Sequence, residues 1–269
     1  MRILPIVAEA STARACLDAA LAAAARLRGV RTIEALHVIV DLVHSVSTAE
    51  ELSFEQLREL REGTAAERAE ATRNVFATWM AGLRDDAPTV KWTEIVGAEE
   101  DVVIEAAGCA DLLVLAKPRN AEDHHALHAA IFKCGRPLLL VPADWSAQAL
   151  GRHIAIAWDG SPLAAKAAAG ALPWITSNSS VTIILVDEPV ARAADLIALL
   201  EPKGTAPSLR SVPRTGASLG DQLVDEAHEA GADLLVMGAY RHNEPLEWLL
   251  GGTTRHALRH ADLPLLLAH

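Results

Sequence analysis

The stretch Gly231-Ala-Asp-Leu-Leu-Val-Met-Gly-Ala-Tyr-Arg-His-Asn-Glu-Pro-Leu-Glu-Trp-Leu-Leu-Gly-Gly-Thr-Thr254 decides how this chain is read. An apolar run ends at a glycine, a polar segment follows, and Gly-Gly-Thr-Thr opens a helical pattern that leads into Leu263-Pro-Leu-Leu-Leu-Ala268. Such a layout presents backbone N–H groups, with their partial positive charge, where an anion can sit. A worn copy, Gly108-Cys-Ala-Asp-Leu-Leu-Val-Leu-Ala-Lys-Pro-Arg119 followed by Arg136-Pro-Leu-Leu-Leu-Val141, lies earlier in the chain. The chain is therefore an internal duplication with unequal halves. The interval from the aspartate to the proline runs from 233 to 264 in the second half and from 111 to 137 in the first. The shorter copy lacks the glycine cluster.

Working outward, apolar runs alternate with helical patterns along the whole length. In the first half they predict strands over 2–8, 32–40, 89–96, 111–115 and 137–141. Helices are expected over 11–28, with Ser11 or Thr12 as N-cap and Gly29 as stop, within 48–83, over 98–107 and over 124–133. Residues 142–151 are mixed and fit a linker. The second half repeats the order, with strands over 153–158, 181–186, 209–212, 234–238 and from 263, and helices over 163–174, 191–200, 219–230 and from 254. Regular alternation of this kind favours parallel sheets with right-handed crossovers and helices on both faces. Superposing the first strands sets Ile3-Leu-Pro-Ile-Val-Ala-Glu9 over Ile154-Ala-Ile-Ala-Trp-Asp-Gly160, so that Asp159 corresponds to Ala8.

Composition limits what the molecule does. The 269 residues are 51% hydrophobic and 22% charged, the balance of a compact soluble protein, and divide into two domains of ordinary size, 1–148 and 149–269. A formal charge of −11 argues against a broad contact with nucleic acid or anionic membrane, so any anion site is local. Three scattered cysteines, Cys16, Cys109 and Cys134, form neither a C-x-x-C pair nor a disulfide framework, which points to a reducing cytoplasm. The apolar start Met1–Val7 is followed too soon by Glu9 and Arg14 for a secretion signal, and no window approaches the roughly 18 apolar residues of a membrane span.

These residues resemble the universal stress protein family, and within it the tandem members that carry two domains in one chain. The pattern of its nucleotide-binding members is G-x2-G-x9-G-[ST], and the string here is Gly238-x2-Arg241-x9-Gly251-Gly252, followed by Thr253. The resemblance implies an adenine nucleotide alpha hydrolase-like α/β fold, each domain a five-stranded parallel sheet of order 3-2-1-4-5. It implies ATP or another adenine nucleotide, with or without Mg2+, in the second domain only, the first being degenerate. Gly238, Arg241, Gly251, Gly252 and Thr253 would then face the phosphates, Asp159 the base or ribose, and Val186 the adenine. Arg241 either pairs with phosphate oxygens or fills their space. It further implies that 137–141 and 264–268 pair edge to edge, making the tandem chain its own pseudo-dimer, and that two chains can form a homodimer. The expected role is a cytoplasmic stress response that uses the nucleotide as a regulatory ligand. The alternatives are a ligand-free adaptor acting through protein surfaces and a slow nucleotide hydrolase.

Other residues are read structurally. His124 and His128 lie four apart beside Glu122 and Asp123, but no further ligand cluster is evident, a solvated polar helix start explains them better than a metal does, and no metal ligand is assigned. His37 lies within an apolar strand and is expected as a core histidine. His256 and His260 are expected on a solvated basic helix face. Ser161 is expected to cap the helix after Asp159, and most of the six tryptophans to pack in cores. No G-x-S-x-G elbow or cysteine signature is present, and no catalytic residue is assigned.

Overall fold

A computed structural model of the chain describes residues 1–40, 56, 58–119, 125–146, 149–239 and 253–269. The chain forms two compact units. The first comprises Met1–Arg136 and Ala143–Ala147, the second Pro137–Pro142 and Gln148–His269. No helix among the described residues is long and apolar enough to cross a membrane.

In the first unit, strands β1 (Arg2–Pro5), β2 (Thr32–Ile39), β3 (Thr89–Val96) and β4 (Leu112–Ala116) are parallel in the order β3-β2-β1-β4. Helix α1 (Ala10–Arg26) presents Ala13, Cys16, Leu17, Ala20 and Ala23 inward, small residues that let a helix lie close to a sheet. It begins earlier than Ser11 or Thr12 would have capped it. Glu9 stands at the cap without a side-chain bond to the helix, and the Ser11 hydroxyl instead donates to the Glu9 carboxylate at 2.7 Å. Within the helical stretch expected over 48–83, α2 (Ala65–Ala81) starts afresh after Gly63, whose φ of +86° breaks the preceding turn. A reciprocal capping box of Thr64 and Glu67 fixes that start. Residues 41–55 of that region lie outside those described. Helix α3 (Glu99–Ala107) follows β3, and the short α4 (His125–His128) runs into a π-turn over Ala129–Lys133.

The second unit has β5 (Leu138–Val141), β6 (His153–Ala157), β7 (Ser180–Val186), β8 (Ser208–Val212), β9 (Leu234–Gly238) and β10 (Leu265–Ala268). Its own five strands run in the order β8-β7-β6-β9-β10, all parallel, which is the expected 3-2-1-4-5. Strand β5, although it comes from the first half of the sequence, is the sixth member. It pairs antiparallel with β10, Leu140 opposite Leu265 and Leu138 opposite Leu267. Both four-residue strands are buried throughout, so each covers an edge the other would leave exposed. The helices are α5 (Pro162–Ala171), α6 (Ala194–Leu200), α7 (Leu219–Glu229) and α8 (Thr253–His260).

The duplicated aspartate has a structural task in both units. Asp111 accepts the Arg2 N–H at 2.7 Å and returns its own N–H to the Arg2 carbonyl, tying the start of β4 to the start of β1. Asp233 accepts the N–H groups of Arg152 and His153 at 3.0 and 3.2 Å and does the same for β9 and β6. Charge-assisted bonds of this sort hold the register in which the apolar residues pack. At the other end of β9, a Cβ on Gly238 would lie 2.9 Å from both the backbone carbon and the Cβ of Leu163, so glycine is what lets α5 start directly over β9.

His37 is a core histidine, as its surroundings in the sequence suggest. Its Nδ1 lies 2.7 Å from the Val7 carbonyl, which can only accept, so this nitrogen carries the proton. Its ring stacks on Trp92 at 5.9 Å, and burial lowers its pKa. The unfolded chain then binds more protons than the folded one below about pH 6.5, so stability is full above that value and falls as pH drops toward the folded pKa. Chemical denaturation at stepped pH should show His37→Gln losing less stability on acidification than the wild type, and equal slopes would refute the assignment. Gly238→Ala should cost about 1–3 kcal/mol by overpacking against Leu163 with no ligand present, and an unchanged denaturation midpoint would show that α5 yields instead.

Candidate functional site

Open α/β sheets bind ligands beyond the carboxyl ends of their strands, where strand order reverses. In the second unit that point lies between β6 and β9. Past β6, Trp158 donates its backbone N–H to the Ile184 carbonyl at 2.9 Å and is buried, its indole N–H reaching the Arg192 carbonyl at 2.8 Å. This prolongs the sheet by one residue and delivers Asp159, half-buried, at the rim. Its Oδ1 accepts the Ser161 N–H at 2.9 Å, and the Ser161 hydroxyl accepts from Ala164 N at 3.2 Å as the cap of α5. The carboxylate is therefore held in place by the turn, and Gly160, at φ +70°, makes that turn possible.

Val186 ends β7 at the same rim, half-buried. The next residue, Asp187, has a φ of +56°, the single left-handed non-glycine among the described residues, and its carboxylate accepts the Arg214 N–H at 2.8 Å. Gly238 ends β9, and Ala239 continues the ladder by donating to the Ala268 carbonyl at 2.8 Å. Thr253 is the first residue of α8 and is half-buried. The structure thus brings Asp159, Val186 and Gly238 to one rim, with Thr253 opening the helix that follows β9. Arg241, Gly251 and Gly252 lie outside the described residues.

Arg192 could not be singled out from the sequence. Its Nε donates to the Asp159 carbonyl at 3.1 Å, and a Cβ on Gly160 would lie 2.6 Å from that nitrogen, so the guanidinium rests directly on the turn. It also stands 3.9 Å from the Glu188 carboxylate. Nothing in the local pattern marks it, because the contact spans 33 residues and depends on the bend after β7.

The corresponding rim of the first unit is arranged otherwise. Ala8 follows β1 where Asp159 follows β6, and Arg58 Nη2 lies 3.5 Å from the Ala8 carbonyl, the same relation that Arg192 has to Asp159. A shallow indentation lies beside it, lined by His37, Val40, Arg58, Ala65 and Arg68 among others. No carboxylate is placed on this rim by the residue after β1.

Of the other sequence candidates, His124 lies outside the described residues, and His128 faces Glu100 at 3.2 Å, with Lys133 on the same carboxylate at 3.2 Å. Cys16 is buried and its thiol is pushed up to about 12, and burial pushes Cys134 up to about 11, so neither is a nucleophile near neutral pH. Trp174 and Trp145 are buried in cores, and Trp248 is outside the described residues. His256 and His260 are on a solvent-exposed helix face, as expected, and both also turn toward Asp221 on α7.

Residues 192–269 match the model of the universal stress protein family. Along 99% of its length the chain shares its fold with a universal stress protein from Archaeoglobus fulgidus DSM 4304, of which it covers 95%, at a TM-score of 0.64 and 15% identity. A functionally unknown protein from Pseudomonas aeruginosa PAO1 is matched over 99% of this chain and 92% of its own, at a TM-score of 0.57 and 15% identity. No curated protein matches the sequence. The family match covers 192–269, within the second unit, and the likeness of the whole chain to these structures is one of fold.

Proposed function

We propose that the second unit binds an adenine nucleotide, ATP or a relative with or without Mg2+, at the carboxyl ends of β6, β7 and β9, as a regulatory ligand in a cytoplasmic stress response. The observation that carries the reading is Asp159: an immobilised, half-buried carboxylate at the point where strand order reverses, with an apolar Val186 beside it on the rim. A carboxylate there accepts from ribose hydroxyls or a base amine, and Val186 offers apolar surface to a purine face. Thr253 contributes a hydroxyl and the first N–H groups of α8, and the sequence supplies Arg241, Gly251 and Gly252 as further phosphate partners. Bound nucleotide would supply charge near the 239–252 segment, and that segment would carry the response. The rim of the first unit, with Ala8 in place of the aspartate, is assigned no nucleotide.

A second reading is favoured by Arg192, which rests on Gly160 and the Asp159 carbonyl in the space a ligand would approach. On that reading the chain is an adaptor without ligand. Calorimetric titration of the full chain with ATP and Mg2+ separates the two. The nucleotide reading expects about one site per chain, with Asp159→Ala weakening binding roughly tenfold or more through loss of a charged hydrogen bond. Two sites per chain would contradict the assignment to the second unit alone. Absence of heat up to millimolar ATP would favour the adaptor.

A further inference from the structure

Helices α7 and α8 touch backbone to backbone. A Cβ on Gly220 would lie 2.0 Å from the Thr253 carbonyl oxygen and 2.6 Å from the Ala257 nitrogen, so no other residue fits there. The contact sets the neighbouring Asp221 opposite His256 and His260, which stand one turn apart on α8 and therefore share a face. His260 Nδ1 is 2.6 Å from Asp221 Oδ1, and His256 Nδ1 is 3.4 Å from Oδ2. One ligand atom from each of the three side chains lies within 4.8 Å of the others. The Ser218 hydroxyl donates to Asp221 Oδ2 at 2.6 Å and, with His260, holds the carboxyl below its usual range, so that it is an anion at neutral pH.

The three groups do not satisfy one another. A neutral imidazole donates one hydrogen bond, and His260 makes a short one. His256 Nδ1 is buried and makes no hydrogen bond among the described residues, despite pointing at the same carboxylate. A buried ring nitrogen without a partner is costly. A cation held among the three atoms would satisfy it.

We propose that Asp221, His256 and His260 form a binding site for a divalent transition-metal ion, best suited to Zn2+, which fastens α8 to α7. Two imidazoles and one carboxylate are the three protein ligands of an open tetrahedral zinc site, with water in the fourth position. Zinc–ligand bonds of about 2.1 Å place ligand atoms about 3.4 Å apart, so the His260–Asp221 pair opens from 2.6 Å as the ion replaces its hydrogen bond, an adjustment that rotation of the imidazoles brings about. Ser218 is the outer partner that orients the ligating carboxylate. His228 Nε2, 2.8 Å from Asp262, gives a second link between α7 and the residues after α8, so both helices are already registered when the ion arrives. The site is independent of the proposed nucleotide contacts, because none of its three ligands belongs to them.

The test uses the full chain, stripped with chelator and without nucleotide, and titrated with Zn2+ by calorimetry and with Co2+ by visible absorption. One equivalent of Zn2+ is expected, with the intense visible bands of four-coordinate Co2+ and a rise in melting temperature that depends on metal. His256→Asn and His260→Asn should each raise the dissociation constant at least about tenfold and remove the thermal shift. His128→Asn, which touches Glu100 in the first unit, should leave both unchanged. Circular dichroism of the metal-free variants verifies folding. Zinc binding that survives both α8 substitutions, or the weak bands of six-coordinate Co2+ on the wild type, would overturn the site whether or not the variants fold, as would absence of binding.

Discussion

The pairing of the first strand with the fourth in each unit is the constraint on which the remaining structure depends. It closes loops of 109 and 81 residues, whose ordering entropy the contacts across the pair must offset. The aspartates at the entrance to β4 and β9 meet that requirement with charged hydrogen bonds to the opposing strand, and the all-apolar runs behind them then bury completely. Once this pair is registered, later strands add on one side and earlier ones on the other. The reversal that creates a ligand-binding crevice follows from the same pairing.

Equivalent frames carry different chemistry at their rims. After β6 the chain places a carboxylate fixed by its own turn, whereas after β1 it places an alanine, and in both units an arginine from a distant segment reaches the carbonyl of that residue. The arginine contact survives the divergence of the acceptor side chain because it is made to backbone. Strand β5 shows another consequence of duplication. Its edge is paired antiparallel with β10 inside the second unit, so each of the two apolar strands covers an edge that would otherwise be exposed.

The close approach of α7 and α8 at Gly220 is the least expected feature of the second unit. Glycine removes the side chain that would keep two helices at ordinary packing distance, and Asp221 therefore enters the face of α8 that carries both histidines. Charge patterning along α8 alone describes these histidines as a solvated face. The neighbour that changes their character comes from a helix more than thirty residues away.

The sequence by itself determined the α/β alternation, the apolar edge strands and the burial of His37, because each rests on periodicity or composition within a short window, and it showed the duplication by repeating one pattern; the strand order of the second unit came from the family resemblance. Asp159 and Val186 were singled out through the family resemblance, and the structure sets them at the ends of strands one and two of the second unit. Tertiary structure alone decided what lies against them. Arg192 on the Asp159 turn, Leu163 over Gly238 and Asp221 between His256 and His260 are contacts between segments whose separation leaves no local signal. Glycines showed the limit most clearly. A sequence marks where a Cβ is missing, and only the packed chain shows whether a ligand, a helix or a turn requires its absence.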